Sequence, residues 1–193
     1  AEIQGKKDSK VIVLGAQLDS WDIGEGAIDD GTGVAQCIEV LRTLKALGYE
    51  NNHTIRVVLY ANSENGGQGR EMYAAYVKKK EEKHVFALGT DAGGYSPRGF
   101  SLDMPPQRRK QIFEWKNYFL PYGIYDFDQT YAIQDISPLK KLDIPLAELV
   151  VDTQRYFDYH HSAEDTFDKV NKRELLLGAV AMTQLIFMID KNW

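Results

Sequence analysis

Short runs of apolar, often β-branched residues alternate with amphipathic stretches along the chain. The apolar runs have the length of buried strands, and the longer stretches carry apolar residues at helical spacing. They predict strands over 11–16, 54–61, 85–90 and 147–151, and helices over 33–47, 69–80, 107–118 and 172–189. Because a crossover helix returns the chain to the same end of a sheet, this alternation predicts an α/β fold. The sheet should be mainly parallel, with helices on both faces.

Composition excludes several classes of protein. The 193 residues carry a net charge of −5, which argues against a nucleic-acid-binding protein, since such proteins usually have a basic face. No run reaches the length of an apolar membrane span; the most apolar stretch, 175–189, contains Thr183 and Gln184. Cys37 is the only cysteine, so neither an internal disulfide nor a cysteine-based zinc site is expected. We expect one domain over 1–193, from a fragment or processed form that lacks upstream sequence.

Polar side chains follow three of the predicted strands. Gln17, Leu18 and Asp19 follow the first strand, residues 62–64 follow the second, and Asp91 follows the third. In parallel sheets, binding sites collect at the carboxyl ends of the strands. We therefore expect these groups to meet. The two histidines at loop–strand junctions, His53 and His84, are expected at the surface.

Four side chains from distant segments form a set of ligands suited to zinc. Asp29, Glu64 and Asp91 offer carboxylate oxygens, and His161 offers an imidazole nitrogen. A shared carboxylate can bridge two metal ions about 3.5–4 Å apart, an arrangement used for hydrolysis. A second interpretation stays open: such carboxylates also cap loops and helix amino termini, and Asp29 precedes a predicted helix.

The sequence resembles the co-catalytic zinc exopeptidases, metallopeptidase family 28. The motifs that carry the resemblance are LDSWD at 18–22, GAIDDGTG at 26–33 and HSAEDT at 161–166, followed by DKV at 168–170. The likeness runs from about residue 11 to 170 and is greatest to the branch of aminopeptidases and plasma glutamate carboxypeptidase-like enzymes. It implies a three-layer α/β/α sandwich with a central, mainly parallel mixed sheet. It also implies hydrolysis of peptides or amino-acid conjugates, and a periplasmic or secreted location.

The resemblance also implies a role for each matching residue. Asp29 would bridge two zinc ions, Glu64 and His161 would complete one site, and Asp91 with the residue at position 17 would complete the other. His161 is preferred to His160 as the ligand because it stands four residues before Asp165. The remaining implied positions are supporting residues behind the ligands, Asp19 and Asp165, and possible pocket residues, His160, Tyr159 and Asp135.

Two positions depart from the family pattern. Gln17 stands where the family has a zinc-ligand histidine, and a carboxamide is a much poorer zinc ligand than imidazole. Ser63 stands where the family has the glutamate that acts as general base. A serine hydroxyl has no basicity near neutral pH, and the GxSxG motif of a nucleophilic serine does not surround it. We therefore expect one zinc site, with the second weak or empty, and lost or strongly impaired peptidase activity.

Two other hypotheses remain. One is an active single-zinc hydrolase or a cyclase-like enzyme, since related glutaminyl cyclases use one zinc, although they keep an acidic residue at the position of Ser63. The other is a non-catalytic binding domain of a larger exported protein. In each case the partner would be a peptide or amino-acid-like ligand, without nucleic acid or a membrane span.

Overall fold

The computed structural model describes residues 1–132 and 135–193. Within these residues, strands β1 to β6 form one mixed sheet in the order β1-β3-β2-β4-β6-β5. The four inner strands, β3, β2, β4 and β6, are parallel to one another. The edge strands β1 and β5 pair antiparallel with β3 and β6. The strands are β1 Glu2–Ile3, β2 Val11–Gln17, β3 Thr54–Tyr60, β4 His84–Gly89, β5 Pro97–Asp103 and β6 Leu146–Val151.

Helices cover both faces of the sheet. The helices are α1 Thr32–Ala46, α2 Gln68–Lys80, α3 Pro106–Glu114, α4 Lys116–Phe119, α5 Tyr156–Tyr159 and α6 Lys172–Asn192. Helices α1 and α6 pack together on one face, and α2 lies on the other with a short turn of helix over Ser137–Leu142. The three-layer α/β/α sandwich predicted from the resemblance is confirmed.

Alternating side chains of the central strands point into two separate cores. Along β2, Ile12 and Leu14 face the larger core under α1 and α6, whereas Val11 and Val13 face the smaller core under α2. This alternation follows from the two-residue period of a strand. Because both faces are covered, β2 is buried over its whole length, and its first six residues form a continuous apolar run.

The structure departs from the prediction in several elements, and it adds the short strand β1 and the short helix α5. The pattern over 107–118 predicts one helix, but α3 ends at Glu114 and α4 begins at Lys116. Strand β5 was not predicted, because it begins with Pro97 and contains Gly99, two residues that disfavour strands. A proline is tolerated there because β5 is an edge strand.

The expectation that His53 and His84 lie at the surface is wrong. His53 is 2% exposed, and its Nδ1 lies 3.1 Å from Oδ1 of the buried Asp190 on α6. The imidazole of His84 is fully buried, with Nε2 2.9 Å from the Tyr73 hydroxyl. Each imidazole can be buried because one of its ring nitrogens lies within hydrogen-bonding distance of a polar group on a helix.

Among the helices described, none is long and apolar enough to cross a bilayer.

Candidate functional site

A pocket of about 290 Å³ opens at the carboxyl ends of β2, β3 and β4. It collects the side chains that the sequence places after those strands, together with groups from the loops before α1 and after α5. Its lining residues are Gln17, Asp29, Ser63, Glu64, Arg70, Asp91, Asp135, Tyr156, His160 and His161. The predicted ligand set and both substituted positions therefore lie in one pocket.

The loop that carries Asp29 is held by a carboxylate from the far end of the chain. Asp165, which is 4% exposed, accepts hydrogen bonds from the backbone N–H groups of Ile28 at 2.5 Å and Asp29 at 3.1 Å. A buried carboxylate that accepts backbone N–H groups forms strong, charge-assisted bonds. Asp165 thus fixes the backbone of Asp29 without lining the pocket.

Asp30 positions the end of β2, a role that the sequence analysis missed. Its carboxylate accepts from the Gln17 backbone N–H at 3.1 Å and from the Gly33 N–H at 2.9 Å in the first turn of α1. A Cβ at Gly33 would stand 2.2 Å from Oδ1 of Asp30, so only glycine leaves room for this contact. The acidic residue three positions before a helical N–H was the available signal, since this is the spacing of a helix cap.

Asp19 holds the loop that follows β3. Its Oδ1 accepts from the Ser63 backbone N–H at 2.9 Å and its Oδ2 from the Glu64 N–H at 3.2 Å. The side chain of Gln17 donates to the backbone carbonyl of Asp19, at 3.3 Å, and not to its carboxylate. The carboxylate therefore orients the loop after β3 rather than the side chain at position 17.

Three side chains of the predicted ligand set converge within hydrogen-bonding distance. Nε2 of His161 lies 3.3 Å from Oδ2 of Asp29 and 3.2 Å from Oε2 of Glu64. Nε2 of His160 also lies 3.3 Å from the same Asp29 oxygen. Burial, together with the neighbouring His161, lowers the pKa of His160, which favours a neutral imidazole.

Gln17 lies between the two acidic ligands. Its Nε2 donates to Oε1 of Glu64 at 2.8 Å and to Oδ1 of Asp29 at 3.2 Å. In this arrangement the amide nitrogen donates hydrogen bonds to both carboxylates.

Asp91 lies in the pocket without a hydrogen bond to its Oδ1, a buried atom that has no partner among the described residues. Burial first, and then the charge of Asp29, raises the pKa of Asp91 to about 8. Burial and the Glu64 carboxylate likewise raise the pKa of Asp29 to about 7. The pocket thus gathers acidic groups that a bound cation would stabilise in their ionised form.

The Ser63 side chain is hydrogen-bonded to another carboxylate of the pocket. Its hydroxyl donates to Oδ1 of the buried Asp135 at 2.7 Å, and the Arg70 guanidinium lies 3.6 Å from the same oxygen. Arg70 was not predicted as a pocket residue, although its place in the first turn of the helix after β3 was a usable signal. Tyr156 lines the pocket in place of Tyr159, which packs against the larger core.

The donor set fits a zinc ion. Zinc binds carboxylate oxygens and imidazole nitrogens at about 2.0–2.2 Å, so two ligand atoms on a zinc tetrahedron are about 3.3–3.5 Å apart. The distances that join His161 to Asp29 and to Glu64, 3.3 and 3.2 Å, are close to this spacing. The unpaired Asp91 oxygen is a further donor. Zinc binding by these residues stays a prediction.

The zinc-free protein is expected to become less stable as the pH rises from about 5 to 8. Because the folded-state pKa values of Asp29 and Asp91 lie above the ordinary value of 3.8, these two carboxyl groups bind more protons in the folded protein than in the unfolded chain in this range. The free energy of unfolding should fall by an amount on the order of 2 kcal/mol, which lowers Tm by roughly 5 °C. Thermal melts in a metal chelator measure the trend, with Asp29→Asn as the variant that should flatten it. A Tm that rises between pH 5 and 8 would contradict it.

Comparisons with known proteins converge on one family. The family model described as "Peptidase family M28" matches residues 1–186. Carboxypeptidase Q of Xenopus laevis is 32% identical over 193 residues, which cover 98% of this chain and 40% of that protein. Human carboxypeptidase Q is 30% identical over 190 residues with the same coverage. The chain thus spans about two-fifths of the length of these relatives.

Solved structures give the same result. A peptidase M28 precursor from Shewanella amazonensis superposes with a TM-score of 0.93 at 33% identity, covering 100% of this chain and 44% of that one. A zinc aminopeptidase from Bacillus subtilis has a TM-score of 0.76 at 16% identity, covering 95% of this chain and 48% of that one, a likeness of fold alone.

Proposed function

The chain belongs to peptidase family M28, and we propose that it forms a zinc-binding domain of that family whose peptidase activity is lost or strongly reduced. One zinc is held by Asp29, Glu64 and His161, and the second position of the family is weak or empty. The domain binds a peptide or amino-acid-like ligand in the remaining pocket. An extracytoplasmic location stays a prediction from the resemblance.

One observation carries the proposal: both substituted side chains donate hydrogen bonds to carboxylates of the pocket. Gln17 donates to Asp29 and Glu64, and Ser63 donates to Asp135. Peptide hydrolysis by this family needs the opposite character at these positions, a lone pair for a metal and a base for a proton. A carboxamide is a much poorer zinc ligand than imidazole, and a serine hydroxyl has no basicity near neutral pH.

The metal itself has a limited role in this proposal. Zinc, when bound, would act as a Lewis acid that polarises a carbonyl oxygen. The chain's own residues orient the ligand set: Asp165 holds the Asp29 loop, and Asp19 holds the loop of Glu64. Without a carboxylate at position 63, Ser63 itself has no basic group to take or return a proton.

The charge of the pocket favours a ligand with an ammonium group. Four carboxylates line it, from Asp29, Glu64, Asp91 and Asp135, against the single guanidinium of Arg70. An amino-acid-like ligand offers an ammonium group for the carboxylates and a carboxylate for Arg70. This charge pattern supports the peptide or amino-acid-like class of ligand.

We expect the zinc-loaded chain to hydrolyse amino-acyl and dipeptide substrates no faster than its Asp29→Ala variant. The measurement is a sensitive fluorogenic assay over a panel of amino-terminal and carboxy-terminal residues. An amino-terminal glutaminyl peptide belongs in the panel, because its cyclisation would reveal a single-zinc cyclase. Robust turnover that disappears in Asp29→Ala would overturn the proposed loss of activity.

A further inference from the structure

The two most exposed large apolar side chains of the described residues flank the pocket histidines in sequence. Phe157 and Phe167 are 81% and 78% exposed. The Phe157 ring stands edge-on to His160 at a centroid distance of 6.0 Å, and the Trp21 ring lies 5.0 Å from His161. Together with their exposed apolar neighbours, these side chains form an apolar rim beside the pocket, made of Leu18, Trp21, Ile23, Phe157 and Phe167.

The two segments that carry the apolar rim, 18–25 and 156–168, are held together as one surface. The Glu25 backbone N–H donates to the Asp165 carbonyl at 2.8 Å, and the Glu25 carboxylate accepts from the Phe167 N–H at 2.9 Å. A Cβ on Gly24 would lie 2.6 Å from the Ser162 carbonyl oxygen, so the two backbones approach closely. A surface that is already fixed loses little conformational entropy when a partner binds. Clustered exposed apolar side chains on such a surface are typical of an interaction site.

Both segments are acidic as well as apolar. Residues 18–25 and 156–168 carry seven aspartates and glutamates and neither lysine nor arginine. The two cations that flank the second segment, Arg155 and Lys169, are already ion-paired with carboxylates. The exposed acids around the apolar rim are Asp22, Glu25, Asp158, Glu164 and Asp168. A partner that covers this surface therefore needs apolar groups for the rim and positive charge for the acids.

Charge also decides between the occupants that an exposed apolar rim could have. A second copy of the chain would bring the same acids face to face, because a two-fold interface pairs each patch with itself. An anionic lipid surface would be repelled by the same acids and by the net charge of −5. A polypeptide segment with both large apolar and basic side chains meets both requirements.

We propose that the apolar rim and its surrounding acids bind a polypeptide segment that carries large apolar and basic side chains. The proposal rests on the proposed function for one feature, the amino-terminal ammonium group of that segment in the acidic pocket. The rim residues do not line the pocket, so they contact the residues that follow the first one. The partner is therefore a polypeptide rather than a free amino acid.

Fluorescence anisotropy with three hexapeptides, each labelled with a dye at its carboxyl end, measures this preference. One peptide alternates leucine and lysine, one leucine and glutamate, and one serine and lysine. The zinc-loaded full chain should bind the leucine–lysine peptide about tenfold more tightly than either of the others, and added salt should weaken the binding because exposed charges are screened. Equal binding of all three peptides would overturn the proposal. Rim-dependent dimers, or rim-dependent binding to phosphatidylcholine vesicles, with no peptide bound would overturn it as well.

Variants of the chain separate the apolar rim from the pocket. Ile23→Ser and Phe167→Ser each remove an exposed apolar side chain and should weaken binding of the leucine–lysine peptide about tenfold. Leu47→Ser is the matched control, because Leu47 is similarly exposed at the end of α1, and it should leave binding unchanged. Acetylation of the peptide's amino terminus tests the pocket. Weakening by acetylation alone would overturn the role of the rim and leave the proposed function standing, whereas weakening by the rim variants alone would contradict the proposed ammonium group in the pocket.

Discussion

The variant Gln17→His, Ser63→Glu is expected to hydrolyse amino-acyl or dipeptide substrates about 10²–10⁴-fold faster than the parent chain. This is the contribution of one positioned general acid–base group. The glutamate supplies the missing carboxylate, and the histidine supplies the imidazole nitrogen for the second metal position beside Asp91. Fluorogenic peptidase assays with added zinc measure the gain.

The two single variants should gain less than their combined effects suggest, because both groups act on the same water. Glutamate at position 63 also places a new carboxylate next to the buried Asp135, with only Arg70 nearby to offset it. A modest fall in Tm is therefore expected with the gain in activity. Adding Asp29→Asn to the double variant is the control, and it should abolish turnover. A folded double variant that binds two zinc ions and stays inactive would contradict the assignment of the loss to Gln17 and Ser63.

Asp29→Asn is expected to bind zinc roughly 10²–10³-fold more weakly than the parent chain while folding more stably in its absence. Structural zinc sites bind with about 10–16 kcal/mol from four ligands, so one charged ligand accounts for about 3–4 kcal/mol. The carboxylate is buried among other acids, and its raised pKa shows that the folded protein disfavours its charge. Removing that charge should therefore stabilise the zinc-free chain.

Isothermal titration and thermal melts measure the two effects on the same sample. Asp22→Asn is the matched control, because Asp22 is an exposed acid that precedes the same loop. It should change neither zinc affinity nor stability appreciably. If Asp29→Asn lost stability in chelator and kept its zinc affinity, Asp29 would be a structural residue and not a ligand.

The central strands could be predicted from the sequence because both faces of each are covered. Strand β2 is apolar from Val11 to Ala16, and a parallel sheet with crossover helices is the arrangement that buries such a run. Strand β5 could not be predicted in the same way, because its proline and glycine are tolerated only at the edge of the sheet. The break at Trp115 between α3 and α4 likewise depends on tertiary packing, which the spacing of apolar residues does not report.

The meeting of residues 17, 64 and 91 could be predicted because they follow parallel strands, whose carboxyl ends meet at one edge. Asp29 and His161 were placed with them by the resemblance to the family. The hydrogen bonds that hold these residues in place could not be predicted. Asp19 binds the backbone of Ser63 and Glu64, and Asp165 binds that of Asp29, across 44 and 136 positions of sequence respectively. His53 is buried for a similar reason, since its partner Asp190 lies 137 positions away. The role of a buried polar residue therefore depends on which distant group it hydrogen-bonds to.

Zinc content per chain is the most direct test of a one-metal site. The purified parent chain is loaded with excess zinc near pH 7.5, dialysed, and analysed for metal by elemental mass spectrometry beside Asp29→Asn. One zinc per parent chain and almost none in the variant is the expected result. Two zinc ions per parent chain would mean that Gln17 does not impair the second position, and none would mean that the pocket is not a metal site.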